Sequence, residues 1–258
     1  MASEITKVRT ALILLLLSVG LLGSVKAQEI TVAAAADLQF AMPDMVAGFQ
    51  KQTGKHVNVV YGSSGNFYQQ IQGGAPFDLF FSADLEYARK LESSGLAEPG
   101  TLYPYATGKI VLWVPSGSKV SLQPGLRALV DPGIHKLAIA NPQHAPYGQA
   151  AVAALKKEDL YDQVSGKLVL GESISQAASF ALSGSADAGI IALSLALSPN
   201  MKDKGRYIEV PAADYPPIEQ ACVVLARSQN KPAAKSFLEF VKTPAAKDIL
   251  RNYGFGVK

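Results

Sequence analysis

The sequence predicts an α/β fold with two doubly wound lobes that are joined by two crossover segments. Short apolar runs alternate with segments of helical periodicity along almost the whole chain, which is typical of parallel strands connected by helices. The junctions are short turns rich in small residues, and no long linker or low-complexity segment interrupts them. The pattern changes near residue 107 and again near residue 210, which predicts two passages between the lobes.

The first 27 residues have the pattern of a secretory signal peptide. Lys7 and Arg9 precede an apolar run over residues 11–22, and Val25-Lys-Ala27 resembles a cleavage site before Gln28. The run is shorter than the roughly 20 residues that a membrane span needs. We therefore expect an exported, periplasmic protein whose mature chain begins at Gln28.

Composition excludes some classes of partner. Removal of the predicted signal peptide takes away three of the 24 Lys and Arg residues and one of the 21 Asp and Glu residues, so the formal net charge falls from +3 to +1. A nearly neutral chain without a basic run argues against binding to nucleic acid or to a polyacidic partner.

The first predicted lobe begins with a β-α-β-α-β pattern. Such a pattern implies a mostly parallel sheet with helices on both faces, and ligands of such folds lie beyond the carboxyl ends of the strands. The predicted strands cover residues 30–34, 56–60 and 79–81, and the predicted helices cover residues 39–52, 67–73 and 84–93. Thr53-Gly54 is a typical helix stop.

The second predicted lobe repeats this architecture, and the end of the chain returns to the first. Strands are predicted over residues 110–114, 136–140, 167–170 and 188–191, and helices over 126–130, 149–157, 172–182 and 194–197. The returning segment contains a strand over 219–227 and helices over 231–242 and 244–253. Lobe I is thus expected to comprise residues 28–107 plus 211–258, and lobe II residues 108–210, with closure on a ligand by hinge motion.

Four strand-to-helix turns share one chemistry. They are small or hydroxylic and carry no Lys or Arg: Ala35-Ala-Asp-Leu38, Gly62-Ser-Ser-Gly65, Ala145-Pro-Tyr-Gly148 and Glu172-Ser-Ile-Ser175. Each turn could simply cap its own helix. If the turns instead converge on one cleft, their N–H groups, hydroxyls and phenol would bind a small, fully deprotonated oxyanion without counter-charges.

Other chemistries have weak support in the sequence. Cys222 is the only cysteine, so it cannot form an intramolecular disulfide, and its apolar surroundings predict a buried structural thiol. The three histidines lack metal-ligand spacing, and the Ser-Ser turn lacks the spacing of a nucleophile elbow. No serine has a histidine and an acid arranged as a triad in the sequence, so we expect neither an enzyme nor a cofactor.

Five segments together resemble one family, the periplasmic molybdate-binding proteins of ABC importers. They are ITVAAAADL (30–38), YGSSGNF (61–67), GAPFDLFFSAD (74–84), NPQHAPYG (141–148) and RNYGF (251–255), and the resemblance covers essentially the whole mature chain. It implies a type II periplasmic-binding-protein fold that binds molybdate or tungstate between its lobes. A membrane permease and its ATPase are the implied partners, and we expect a monomer.

The resemblance assigns the oxyanion contacts to four residues. They are Asp37, Ser64, Tyr147 and Ile174, the last through its backbone N–H, with Ala36 and Ser63 in support. No residue is expected to bind the metal as a bare cation. Some relatives carry a Tyr in the strand end that here spans residues 190–193, so the phenol donor is assigned to Tyr147 instead.

Asp37 departs from the family pattern, in which many members have Ser. A carboxylate that faced a dianion in a dry site would repel it, so we expect Asp37 to cap its helix and to offer the ligand a backbone N–H, its own or that of Ala36. An inward carboxylate would favour an alternative function. Asp37 could then accept a proton from hydrogen phosphate or a phosphonate, and a phosphate-type binding protein is the main alternative. A secreted enzyme is the remaining one.

Overall fold

The computed structural model describes residues 29–257. The predicted signal peptide, residues 1–27, lies outside the described residues. Within the described range, no helix is long and apolar enough to cross a membrane.

The chain folds into two α/β units, each built on a five-stranded sheet. The strands are β1 (Glu29–Ala35), β2 (His56–Gly62), β3 (Leu79–Ser82), β4 (Tyr103–Gly108), β5 (Ile110–Pro115), β6 (Leu137–Ala140), β7 (Leu168–Gly171), β8 (Ala188–Ala192), β9 (Gly205–Glu209) and β10 (Ile218–Val224). The helices are α1 (Ala41–Thr53), α2 (Ser64–Gln72), α3 (Leu85–Ser93), α4 (Pro146–Lys157), α5 (Tyr161–Val164), α6 (Ile174–Leu182), α7 (Leu193–Ala196), α8 (Lys231–Val241) and α9 (Pro244–Asn252). Short 3₁₀ turns cover Ala36–Leu38, Gly125–Val130 and Ser165–Lys167.

The first sheet has the strand order β2-β1-β3-β10-β4, and we call the unit built on it lobe I. Strand β1 pairs in parallel with β2 and β3, whereas β10 runs antiparallel to β3 and to β4. The parallel register aligns Ala35 with Gly62. The turns that follow β1 and β2 therefore emerge side by side at one edge of the sheet.

The second sheet has the strand order β7-β6-β8-β5-β9, and we call its unit lobe II. Strand β6 pairs in parallel with β7 and β8, whereas β5 is antiparallel to β8 and β9. Because Ala140 is aligned with Gly171, the turns that lead into α4 and α6 also lie side by side. Each sheet is thus mixed, with one strand that runs against the others.

Apolar side chains fill both faces of the lobe I sheet and form a separate large core in lobe II. Trp113 on β5 is 1 % exposed and lies in the lobe II core. Cys222 on β10 is fully buried, and burial raises the pKa of its thiol well above the usual range. The prediction of a buried thiol is confirmed.

The predicted elements are present, with three instructive differences. Strands β4 and β9 were not predicted, because β4 contains Pro104 and β9 is largely exposed, so neither has a clean apolar pattern. The helix predicted from residue 149 begins at Pro146, so the Ala-Pro-Tyr-Gly segment is the first turn of α4 rather than a loop before it. The helix predicted over residues 39–52 corresponds to α1, which begins two residues later at Ala41 and is preceded by the 3₁₀ turn Ala36–Leu38.

Candidate functional site

The carboxyl ends of the strands in the two lobes face each other across a small cavity. The cavity is narrow, with a volume of about 10 Å³, which is roughly the space that one water molecule requires. Its lining comes from both lobes and consists of Ala35, Ala36, Asp37, Gly62, Ser63, Ser64, Ala83, Ala145, Pro146, Tyr147 and Ile174. All six residues that the sequence singled out, four as contacts and two in support, are therefore brought together around one space.

Ser64 is the first residue of α2, and its hydroxyl is held in place by lobe I. Its Oγ accepts a hydrogen bond of 2.9 Å from the backbone N–H of Ala83, and the residue is only 1 % exposed. No described residue accepts a hydrogen bond from this hydroxyl, so its hydrogen can be donated into the cavity. Since α2 also directs its first N–H groups toward this end, the turn has the properties of an anion site.

Helices α4 and α6 point their N-termini at the same space from lobe II. Tyr147 and Ile174 lie in the first turns of these helices, where a backbone N–H has no intrahelical acceptor. Ser173 caps α6 by accepting the N–H of Gln176, which leaves Ile174 N–H free of the cap. The helix termini of both lobes therefore place partial positive charge around the cavity.

Asp37 does not cap a helix, and this expectation was wrong. Neither the 3₁₀ turn nor α1 has a side-chain cap at its start. Instead, the Oδ2 atom of Asp37 accepts hydrogen bonds from the Tyr147 hydroxyl at 2.9 Å and from Gln220 Nε2 at 2.6 Å. Only the bond from Tyr147 comes from lobe II, since Gln220 lies on β10 of lobe I.

The same bond changes the role expected of Tyr147. A phenol has one hydrogen to donate, and that hydrogen is directed at Asp37. The prediction that the phenol donates to the ligand is therefore not supported by this geometry. The backbone N–H of Tyr147 remains as its donor toward the cavity.

Gln220 on β10 completes this network and was missed in the sequence. Its Nε2 donates both to Asp37 and to the Tyr147 hydroxyl, at 2.6 and 3.0 Å, while its Oε1 accepts the Tyr105 hydroxyl at 2.6 Å. Gly108 makes room for this arrangement, because a Cβ there would collide with the Tyr147 hydroxyl. A lone Gln in a strand pattern carries no sequence signal for such a role.

Burial shifts the pKa values of the ionisable groups in this network, Asp37, Tyr147 and Tyr105. Burial raises the pKa of Asp37 to about 6, although the hydrogen bonds from Gln220 and Tyr147 and the nearby N–H groups of Asp37 and Leu38 lower it. Burial also raises the pKa of Tyr147 and Tyr105 well above the usual value, and the Asp37 carboxylate adds to that shift. Oδ1 of Asp37 is buried and forms no hydrogen bond with any described residue.

A second set of contacts joins the lobes at the start of α2. The backbone N–H of Gly65 donates to the carbonyl oxygen of His144 at 2.9 Å. The Ser63 hydroxyl lies 2.9 Å from Nδ1 of His144, whose Nε2 lies 3.3 Å from Glu172 Oε2. Sequence reasoning found no serine, histidine and acid in a triad, because these three residues are far apart along the chain and meet only when the lobes do.

This Ser63–His144–Glu172 chain differs from a hydrolytic triad. The serine contacts Nδ1 and the acid contacts Nε2, which is the reverse of the usual arrangement. Ser63 is also the N-cap residue of α2, where it is 5 % exposed. We interpret the chain as a contact between the lobes.

The cavity suits an anion that is held by neutral donors. Within residues 29–257, no Lys or Arg lines it. In the same part of the chain, no group of three or more His, Cys, Asp or Glu side chains could hold a metal ion. The available groups are hydroxyl and backbone donors, which bind oxygen atoms of an oxyanion rather than a bare cation.

Comparisons with known proteins identify related chains. Residues 30–256 match the family model described as bacterial extracellular solute-binding protein. The chain is 39 % identical to the molybdate-binding protein ModA of Azotobacter vinelandii, with 94 % of this chain and 96 % of the relative covered. It is also 39 % identical to ModA of Rhodobacter capsulatus, with 93 % of each chain covered. The solved periplasmic molybdate-binding protein of A. vinelandii superposes with a TM-score of 0.84 at 35 % identity, covering 89 % of this chain and 99 % of that one.

Proposed function

This chain belongs to the bacterial extracellular solute-binding proteins and, within them, to the molybdate-binding proteins, and on that premise we propose that it captures molybdate for an ABC importer. The observation that carries the proposal is the cavity between the lobes, where hydroxyl and backbone donors and helix N-termini converge beside Asp37 and where no Lys or Arg of residues 29–257 is part of the lining. Molybdate is a small oxyanion with no proton at neutral pH, so it needs donors and no acceptors.

We assign the contacts as follows. The Ser64 hydroxyl and the backbone N–H groups of Tyr147, Ile174 and the Ala36–Asp37 segment donate to oxygen atoms of the anion. Ser63 supports the site through His144, and no residue ligates the metal atom. Tungstate has nearly the same size and charge, so we expect it to bind in the same way.

The lobes open and close about the two crossovers. We place these between β4 and β5 and between β9 and β10, so that lobe I comprises residues 28–107 plus 211–258 and lobe II residues 108–210. The assignment is supported by the sheets, because β4 and β10 belong to the first sheet while β5 and β9 belong to the second. Closure would bury the anion and present both lobes to the membrane permease, whose ATPase drives import. We propose that the protein acts as a monomer in the periplasm.

The two alternatives are less well supported. A phosphate-type binding protein would use Asp37 as a proton acceptor, but the relatives that share 39 % identity with this chain are named for molybdate. An enzyme would need a nucleophile or general base directed at a substrate. The one serine–histidine–acid chain at the described site joins the lobes instead.

A thermal-shift assay with molybdate, tungstate, sulfate and phosphate tests the proposed function. A ligand at a thousandfold excess over its Kd adds about 4 kcal/mol of stability, which for a chain of this size raises the Tm by on the order of 10 °C. We expect this rise with molybdate and tungstate. A rise with phosphate alone, or with none of the four anions, would contradict the proposal.

A further inference from the structure

One oxygen of Asp37 has no role in the contacts described so far. Asp37 lines the cavity and is 1 % exposed, and its Oδ2 accepts from both Tyr147 and Gln220. Its Oδ1 is equally buried but forms no hydrogen bond with any residue in the described range. A buried carboxylate oxygen without a donor is costly, so its environment needs a physical explanation.

Among residues 29–257, no Lys, Arg or His forms a hydrogen bond or an ion pair with this carboxylate. The donors that act on it are the Tyr147 hydroxyl on α4 of lobe II, the Gln220 amide on β10 and the nearby backbone N–H groups of Asp37 and Leu38. The Ser194 hydroxyl on α7 donates to the Asp37 carbonyl oxygen and not to the carboxylate. Tyr105 on β4 acts on it through Gln220. His144 reaches the cavity only through Ser63 and pairs with the exposed Glu172.

The proposed function places a dianion in the same space. A second negative charge in a dry site would repel the ionised carboxylate, and a proton on Asp37 removes that repulsion. Oδ1 is the oxygen available for this proton, because Oδ2 already accepts two hydrogen bonds. A protonated Oδ1 would also become a donor, like the other groups around the cavity.

Resting on the proposed function, we propose that Asp37 carries a proton on Oδ1 in the molybdate complex and that each bound molybdate therefore takes up about one proton from solvent. The proton forms an O–H bond at Oδ1 and is donated to an oxygen of the anion, while Oδ2 keeps its bonds to Tyr147 and Gln220. Burial raises the pKa of Asp37 to about 6 even though the surrounding hydrogen bonds lower it, and a neighbouring dianion raises this pKa further. Asp37 is thus a specificity-determining residue that acts as a neutral donor.

Calorimetric titration of molybdate in buffers of different ionisation enthalpy measures the proton uptake. At pH 8 the wild-type protein should take up about one proton per anion, and its Kd should rise by about tenfold for each pH unit above neutrality. Asp37→Asn retains an oxygen for Tyr147 and Gln220 and places an NH₂ group at Oδ1, so it mimics the protonated acid. This variant should bind molybdate with no proton uptake and with a Kd that is independent of pH.

The control is His144→Gln, because His144 is the other group near the cavity that could take up a proton. This variant is expected to bind molybdate more weakly and to keep the proton uptake. Binding of molybdate by the wild-type protein without proton uptake would overturn the inference, as would uptake that persists in Asp37→Asn. If Asp37→Asn fails to fold, the number of protons that the wild-type protein takes up with molybdate, measured in the different buffers, is sufficient to test the inference. Absence of any molybdate binding would instead contradict the proposed function.

Discussion

Ser64 and Ser63 are neighbours in one turn, but the structure gives their hydroxyls different tasks. Ser64 accepts a backbone N–H from Ala83 and keeps its own hydrogen for the cavity, whereas Ser63 contacts His144 in the other lobe. The sequence predicted that this turn binds an anion, because a helix N-terminus follows it, and the family resemblance assigned the contact to Ser64. The sequence could not show that the two hydroxyls have different partners, because Ala83 and His144 lie in other elements of the fold.

Replacement of Ser64 by alanine tests its assignment as a donor. Ser64→Ala should weaken molybdate binding by about 1–3 kcal/mol, because a buried anion loses one neutral donor. Calorimetry gives the Kd, and thermal unfolding without ligand separates the loss of the Ala83 contact from the loss of the donor. Ser63→Ala is the matched control in the same turn, and a smaller effect on Kd is expected there. An unchanged Kd for Ser64→Ala would remove Ser64 from the site.

The sequence predicted part of the role of Asp37 but not its hydrogen-bond partners. Its position at the end of β1 and its departure from the family pattern were evident, and its conflict with a dianion followed from charge alone. The expected helix cap was wrong because Tyr147 and Gln220, which lie 110 and 183 residues away along the chain, offer the carboxylate better donors. Contacts over such separations leave no local pattern.

The buried carboxylate should also affect stability in the absence of ligand. The pKa of Asp37 is raised from 3.8 to about 6, so between these pH values the folded state holds a proton that the unfolded state has released. The stability that this proton provides is fully present below pH 4 and is lost as the pH rises to about 6. Relative to Asp37→Asn, the free energy of unfolding of the wild-type protein should therefore fall by up to about 3 kcal/mol over this range. Urea denaturation of both proteins from pH 4 to 8 measures the difference, and parallel curves would contradict the raised pKa.

At the level of elements, three helix N-termini and one 3₁₀ turn converge because parallel strands end at the same edge of each sheet. The β-α alternation predicted this arrangement well. The first turn of α4 was harder to predict, because Pro146 is equally compatible with a loop and with the first position of a helix. The exposed edge strand β9 was missed because its pattern is weak.

Helix α2 meets lobe II so closely that its second residue must be glycine. A Cβ on Gly65 would lie 2.6 Å from the carbonyl oxygen of His144, which also accepts the Gly65 N–H. Gly65→Ala should therefore hold the lobes apart and raise the Kd for molybdate by about tenfold or more, equivalent to about 1.4 kcal/mol. Calorimetry measures the Kd, and small-angle X-ray scattering shows whether the ligand still makes the protein more compact.

Gly166→Ala is the control for this prediction, because no atom lies within 4 Å of the position of its added Cβ. It should bind molybdate as the wild-type protein does. Wild-type affinity in Gly65→Ala would mean that the contact between α2 and His144 is not needed for closure.

At the level of the whole molecule, two lobes make direct contacts on both sides of one cavity. On one side, the Tyr147 hydroxyl of lobe II contacts Asp37 and Gln220 of lobe I, and on the other side His144 of lobe II contacts Ser63 and Gly65 of lobe I. The two-lobed fold could be predicted because it follows from strand order and from two interruptions of the pattern. These contacts could not, because each joins residues that only the closed arrangement brings together.

Calorimetric titration of the mature protein with molybdate, tungstate, sulfate and phosphate is the most direct test of the central claim. We predict that one molybdate or one tungstate binds per protein. Phosphate should bind more weakly because it carries a proton at neutral pH and the cavity offers neutral donors, and sulfate should bind more weakly because it is a smaller anion that reaches fewer of these donors. A preference for phosphate over molybdate, or no binding of either metal oxyanion, would contradict it.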